Sequence, residues 1–208
     1  MMLIYAFAGL ITLGTGFLLL PFAHQDAGFT PFIDAFFTAT SAVTVTGLVV
    51  QDTATYWTRT GQLFILALMF TGGIGFMTIA TFLLVLIGHR VTLAQRILVR
   101  ESLGVNEMGG LVRLTIRIVL VAVGIQIIGA VALFIRFSFL FSPAEAAWQA
   151  VFHSISGFNN AGFVVLGPSE AFPAPWADEA ILGIIAALVI LGGISYWVMV
   201  DVARFRKF

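Results

Sequence analysis

One unusual pattern occurs twice in this chain, and a duplicated unit constrains the fold more than any single residue can. The first copy runs Asp34-Ala-Phe-Phe-Thr-Ala-Thr-Ser-Ala-Val-Thr-Val-Thr-Gly47-Leu-Val-Val, and the second Gln149-Ala-Val-Phe-His-Ser-Ile-Ser-Gly-Phe-Asn-Asn-Ala-Gly162-Phe-Val-Val. Aligned, they match at Ala35/Ala150, Phe37/Phe152, Ser41/Ser156, Gly47/Gly162, Val49/Val164 and Val50/Val165, and Gly72-Gly73-Ile74 returns as Gly192-Gly193-Ile194. Each copy is a short amphipathic segment, a polar dip ending in glycine and a long apolar stretch. A repeated membrane unit with such a dip is how a pore is usually written.

The solvent for this chain is a bilayer. Sixty per cent of its residues are hydrophobic and 10% charged, and the mean hydropathy is +1.07, far from the composition of a soluble domain. A formal net charge of zero removes the basic face that a nucleic-acid partner requires. The absence of cysteine excludes disulfides, thiolate metal sites and thiol nucleophiles. Met1-Met-Leu-Ile-Tyr has no basic n-region, so the first apolar run reads as a retained helix.

Crossing the hydrocarbon takes about 20 mostly apolar helical residues. Four segments qualify, roughly 2–23, 61–88, 111–135 and 179–202. Two others, roughly 31–43 and 144–157, are too short and lead into the polar dips; they read as re-entrant half-helices. Asp34 opens the first, where a carboxylate stabilises the N-terminus. Ser142-Pro143-Ala-Glu145 opens the second as N-cap, first-turn proline and capping-box glutamate. The fold class is therefore an all-α integral membrane protein of two tandem helix–pore-loop–helix units, with four spanning helices and two re-entrant pore helices. The units cover 1–90 and 111–208, joined by a linker over 91–110.

Arginine and lysine set the orientation. His89, Arg90, Arg96, Arg100, Arg113 and Arg117, with Arg204, Arg206 and Lys207, mark the cytoplasmic side. Asp26, Asp52, Glu170, Asp178 and Glu179 dominate the opposite loops. Both half-helices then enter from outside, and both termini lie in the cytoplasm of a multi-pass cell-membrane protein. Tyr56, Trp57, Trp148, Trp176 and Tyr196 read as interface anchors or packing.

A dehydrated cation needs several oxygens in place of its water shell, and backbone carbonyls supply them without an ionised side chain in the membrane. Carbonyls converge only where the chain is extended or left-handed, which glycine tolerates best. Thr44-Val45-Thr46-Gly47 and Asn159-Asn160-Ala161-Gly162 meet that need. Asp34, Ser41, His153 and Ser156 sit where they would support the half-helices, and Gly72, Gly73, Gly192 and Gly193 suit close helix packing beside the pore, or a hinge.

The runs Phe36-Phe37-Thr-Ala-Thr-Ser41-Ala-Val-Thr-Val-Thr-Gly47 and Phe152-His-Ser-Ile-Ser156-Gly-Phe-Asn-Asn-Ala-Gly162-Phe, with Gly72-Gly73-Ile74-Gly75-Phe76, resemble the Trk/Ktr/HKT superfamily of potassium transporters. The resemblance spans essentially the whole chain, and the Ser-Gly-Phe-Asn-Asn-Ala-Gly-Phe stretch is its specific part. It implies four fused potassium-channel-like units around one pore, each giving one filter loop. Gly47 and Gly162 would be the first two filter glycines, and carbonyls of Thr44, Val45, Thr46, Asn159, Asn160 and Ala161 would line the path of K+. A glycine at the first filter position implies preference for potassium over sodium. The chain has two units where this pattern has four, so the resemblance further implies a missing second half or a second copy of the chain. It also implies a dimer and a cytoplasmic nucleotide-binding regulatory subunit. No cofactor is expected in the chain; K+ is the transported ion.

Competing readings are a non-conducting half-transporter or assembly module, and a less selective Na+/K+ pore. An intramembrane enzyme would need Ser154 paired with His153, neighbours on a helix that point apart. The chain is therefore expected not to be an enzyme.

Overall fold

The computed structural model describes residues 2–25, 28–75, 111–167 and 178–194. Among them are six α-helices and, in place of strands, a single antiparallel bridge between His24 and Trp57. The helices are α1 (Met2–Leu18), α2 (Phe32–Val43), α3 (Arg59–Ile74), α4 (Leu111–Phe137), α5 (Pro143–Phe158) and α6 (Glu179–Gly193). The short helix α2 packs between α1 and α3, and α5 between α4 and α6; the two groups meet where α3 lies against α5.

Lengths follow from local chemistry. At about 1.5 Å per residue the 12 residues of α2 and 16 of α5 rise about 18 and 24 Å, short of the roughly 30 Å hydrocarbon core. Both ranges agree with the bounds expected for the two short segments to within a residue. The long helices differ more. Among the described residues α4 is the one helix long and apolar enough to cross a membrane, over Thr115–Phe137. Helix α1 stops at Leu18, because the Pro21 ring cannot follow a helical turn. Helix α3 stops at Ile74, where Gly75 takes φ 90, and α6 stops before an extended Ile194. The expected spans to 88 and 202 run on into residues 76–110 and 195–208, outside the described residues, as do the linker and most of the basic residues that set the orientation.

The caps also depart from expectation. Ser142 stands at the N-cap with Pro143 behind it, but its side chain makes no cap hydrogen bond. The box is open because Glu145 turns outward to Arg59 and Gln149. Asp34 lies in the first turn of α2 as expected, behind Pro31 at the N-cap, and its Oδ2 accepts from Gln51 Nε2 at 2.8 Å.

The main core draws on both copies. Ala35, Ala39 and Ala42 form one fully buried stripe on α2, small enough to let Leu18 of α1 and Ile65 and Met69 of α3 close over it. Phe152, Ala161, Phe163 and Val165 of the second copy join the same buried cluster. A second cluster, Leu133, Phe137, Ala146, Ala150, Ile181 and Leu188, ties α4, α5 and α6 together. Trp57 is fully buried, so it packs rather than anchors; Trp148 is half-buried against Gln62. Trp176 and Tyr196 lie outside the described residues. Tyr5, Phe29, Ile128 and Phe139 are each more than 70% exposed, an apolar outer surface that suits lipid and would be costly in water.

Candidate functional site

The two half-helices end in the same backbone motif. After α2, Thr44 keeps φ −87 and ψ 2, Val45 turns left-handed at φ 48, Thr46 returns to negative φ, and Gly47 turns left-handed at φ 78. After α5, Asn159 has φ −79 and ψ 1, Asn160 φ 57, Ala161 negative φ and Gly162 φ 75. The amides fold back onto the helix ends in register. Val45 N donates to Ala42 O at 3.2 Å and Asn160 N to Gly157 O at 3.0 Å; Thr46 N donates to Ser41 O at 2.9 Å and Ala161 N to Ser156 O at 2.8 Å. This paired bonding is a Schellman motif, which satisfies carbonyls that a helix end leaves open. Its left-handed position falls to asparagine in one copy, which tolerates it, and to β-branched valine in the other, a genuine outlier.

Folding the amides back leaves the other side of the chain bare. Among the described residues nothing donates to the carbonyl oxygens of Thr44, Val45, Thr46 and Gly47, or of Asn159, Asn160, Ala161 and Gly162. Alternating right- and left-handed dihedrals swing successive peptide groups to a common side, as they do for amides in anion nests. The two loops also touch. A Cβ added to Gly47 would lie 2.4 Å from the Ala161 oxygen and 3.1 Å from Gly162 Cα, and one added to Gly162 would lie 3.3 Å from Gly47 Cα.

Behind the loops, the expected supports take different partners. Ser156 Oγ donates to Phe163 O at 2.7 Å, tying the second loop just past its glycine. Ser41 Oγ, buried at the matching place, has no partner among the described residues. His153 Nδ1 lies 2.8 Å from Gln149 O, while Ser154 Oγ donates to Gln126 O at 2.6 Å, so the two side chains engage separate partners. Thr44 and Thr46 share a hydroxyl hydrogen bond at 2.7 Å.

The glycine pairs seat the half-helices. A Cβ on Gly72 would come within 2.0 Å of Val43 O, and one on Gly192 within 1.6 Å of Phe158 O. Gly73 leaves room for the Asn159 side chain, whose Oδ1 would be 2.2 Å from a Cβ there; Gly193 faces nothing nearer than 3.9 Å. Sequence reasoning missed a polar seam of Arg59, Gln62, Glu145, Trp148 and Gln149 between the two copies. Its signal in the sequence is a glutamine near the start of each helix, Gln62 in α3 and Gln149 in α5, with Arg59 and Glu145 one turn before them.

A family model described as TrkH, cation transport protein, matches residues 3–208. Over 198 residues the chain is 39% identical to the potassium/sodium uptake protein NtpJ of Enterococcus hirae, covering 95% of this chain and 44% of that protein. It is 38% identical to the Ktr system potassium uptake protein B of Bacillus subtilis, with the same coverage. Against the Ktr system potassium uptake protein B of Vibrio alginolyticus, identity is 40% over 176 residues, which are 82% of this chain and 37% of that protein. The chain thus spans less than half the length of these curated relatives.

Proposed function

The chain belongs to the TrkH family of cation transport proteins, and from that premise we propose that it supplies two of the filter strands of a potassium uptake pore in the cell membrane. The observation that carries this reading is the pair of matched loops, 44–47 and 159–162, touching at their glycines with eight carbonyl oxygens that accept no hydrogen bond among the described residues. Such oxygens can replace the hydration shell of a monovalent cation. Non-helical backbone at membrane depth survives where it is buried in protein or lines a wet path. Inward flow requires no chemistry on a substrate, because the membrane potential supplies about 2.3 kcal/mol per charge per 100 mV.

Two strands cannot enclose an ion, and the repeat supports a way to complete the ring. On α3, Arg59, Gln62 and Gly73 receive Glu145, Trp148 and Asn159 of the second copy. The matching positions on α6 are Glu179, Leu182 and Gly193, all exposed. On the first copy Ile33 and Thr44, which match Trp148 and Asn159, are exposed as well. Part of the surface used between the copies is therefore exposed at both ends, without its ion pair, since Glu179 replaces Arg59 and Thr30, the match of Glu145, is buried; a head-to-tail contact repeated by rotation closes a ring. Further units, or a second copy of the chain in a dimer, would fill it. Residues 1–90 and 111–208 are then the two units, with both termini and the 91–110 linker cytoplasmic. The basic residues there are contacts for a regulatory nucleotide-binding subunit.

The name of the Enterococcus hirae relative pairs potassium with sodium, which favours a less selective pore as the second reading. Uptake by the native assembly in cells lacking their own potassium transport separates the two. Potassium or rubidium entry that follows an inside-negative potential and exceeds sodium entry is the expected result. Equal sodium entry would establish the less selective pore, and no cation entry would leave only a non-conducting module.

A further inference from the structure

The second loop is held by side chains whose grip begins on the first copy. Arg59, at the start of α3, pairs with Glu145 in the first turn of α5, and its guanidinium lies 5.3 Å from the centre of the Trp148 ring. Glu145 Oε1 accepts from Gln149 Nε2 at 2.7 Å, and the same Nε2 donates at 3.0 Å to the carbonyl of Val165, three residues past Gly162. On the other side, Gln62 Oε1 accepts from Trp148 Nε1 at 3.0 Å and from Arg59 at 3.4 Å. Gln62 Nε2 donates to the carbonyls of Thr53, Ala54 and Trp57, the return segment of the first loop, at 3.1, 3.3 and 3.1 Å.

We propose that this seam is a brace that fixes the spacing between the two loops, with Arg59, Gln62, Glu145 and Gln149 as positioning residues for ion selectivity. It rests on the filter reading above. One continuous path runs from the first loop's return through Gln62, Arg59, Glu145 and Gln149 to the second loop's exit. Gln62 and Gln149 are each only 3% exposed, so their donors have no water to fall back on, and losing a partner there costs the full desolvation of the group. Burial raises the pKa of the Glu145 carboxyl, but hydrogen bonds from Arg59 and Gln149 overcome this and hold it below the ordinary carboxylate value, so the group at the centre is charged. The path bypasses the half-helix C-termini and the glycines. Its loss therefore changes the separation of the oxygens rather than the shape of either loop, and separation is one of the properties that set which ion a ring of carbonyls holds.

The test measures potassium and sodium uptake by the native assembly in vesicles. Gln149→Leu keeps the volume and removes both donations. The potassium-to-sodium ratio should fall, by up to about tenfold if the loss falls wholly on the potassium-bound state, while potassium uptake continues. Arg59→Leu and Glu145→Leu should each lower the ratio, and the double variant should lose no more than the larger single, because both act through one path. Effects that simply add are what two unrelated losses of stability would give. An unchanged ratio in Gln149→Leu, or single effects that add in full, overturns the brace. Gly47→Ala measured alongside separates the two ideas: if it shifts the ratio while the seam variants do not, the filter stands without the brace. If Gly47→Ala is also silent, the filter reading itself falls.

Discussion

Gly47→Ala should cost the pore its preference for potassium, lowering the potassium-to-sodium uptake ratio by about tenfold, since the strain on one methyl group is relieved only by moving the loops that place the oxygens. Gly47 holds φ 78, a conformation that disfavours any L side chain. The added Cβ would also sit 2.4 Å from the Ala161 oxygen, one of the eight proposed to face the ion. Neither atom can yield without moving a loop, because Ala161 N is already committed to Ser156 O. Gly162→Ala meets a similar backbone demand at φ 75, but its Cβ would clear the nearest atom by 3.3 Å, so its effect should be smaller. Tracer uptake of rubidium against sodium reads both. The order Gly47 before Gly162 follows from the contact between the loops, and the reverse order would place the tighter approach elsewhere.

Gly192→Ala should damage the protein before it damages transport. Its Cβ would lie 1.6 Å from the Phe158 carbonyl oxygen, a backbone atom at the last residue of α5 that no rotamer change can move aside. Separating α6 from α5 exposes the cluster around Ile181 and Leu188, and overpacking of this kind costs about 1–3 kcal/mol or more. A lower melting temperature and poorer recovery of monodisperse protein from detergent are expected. Gly183→Ala on the same helix is the internal control, since nothing lies within 4 Å of a Cβ there, and it should melt close to the parent. Gly72→Ala, facing Val43 O at 2.0 Å, should behave like Gly192→Ala. Equal stability of all three variants would remove the packing role from the glycine pairs.

Much of this was legible from residues alone because the repeat writes it twice. The repeat around Thr44–Gly47 and Asn159–Gly162, with a glycine pair at matching places in both copies, placed the two short helices to within a residue. What failed was what depends on partners across the fold. Glu145 has the spacing of a capping box, yet Arg59 from 86 positions earlier outcompetes the local amide, because a guanidinium brings a full opposite charge to the carboxylate and the backbone amide only a dipole. The long apolar runs hid the breaks at Gly75 and Ile194, since hydropathy counts side chains and is blind to φ. Val45 at φ 48 was invisible for the same reason: its propensity points to extended or helical backbone, and only the Schellman closure onto Ser41 and Ala42 imposes the left-handed turn.

Rubidium soaked into crystals of the native assembly, located by anomalous scattering, tests the central claim most directly. The expected result is density within coordination distance of the carbonyl oxygens of 44–47 and 159–162, displaced by potassium and weaker in sodium. Rubidium bound only elsewhere, with these loops closed against one another and free of ions, would contradict the assignment of the two strands to the ion path.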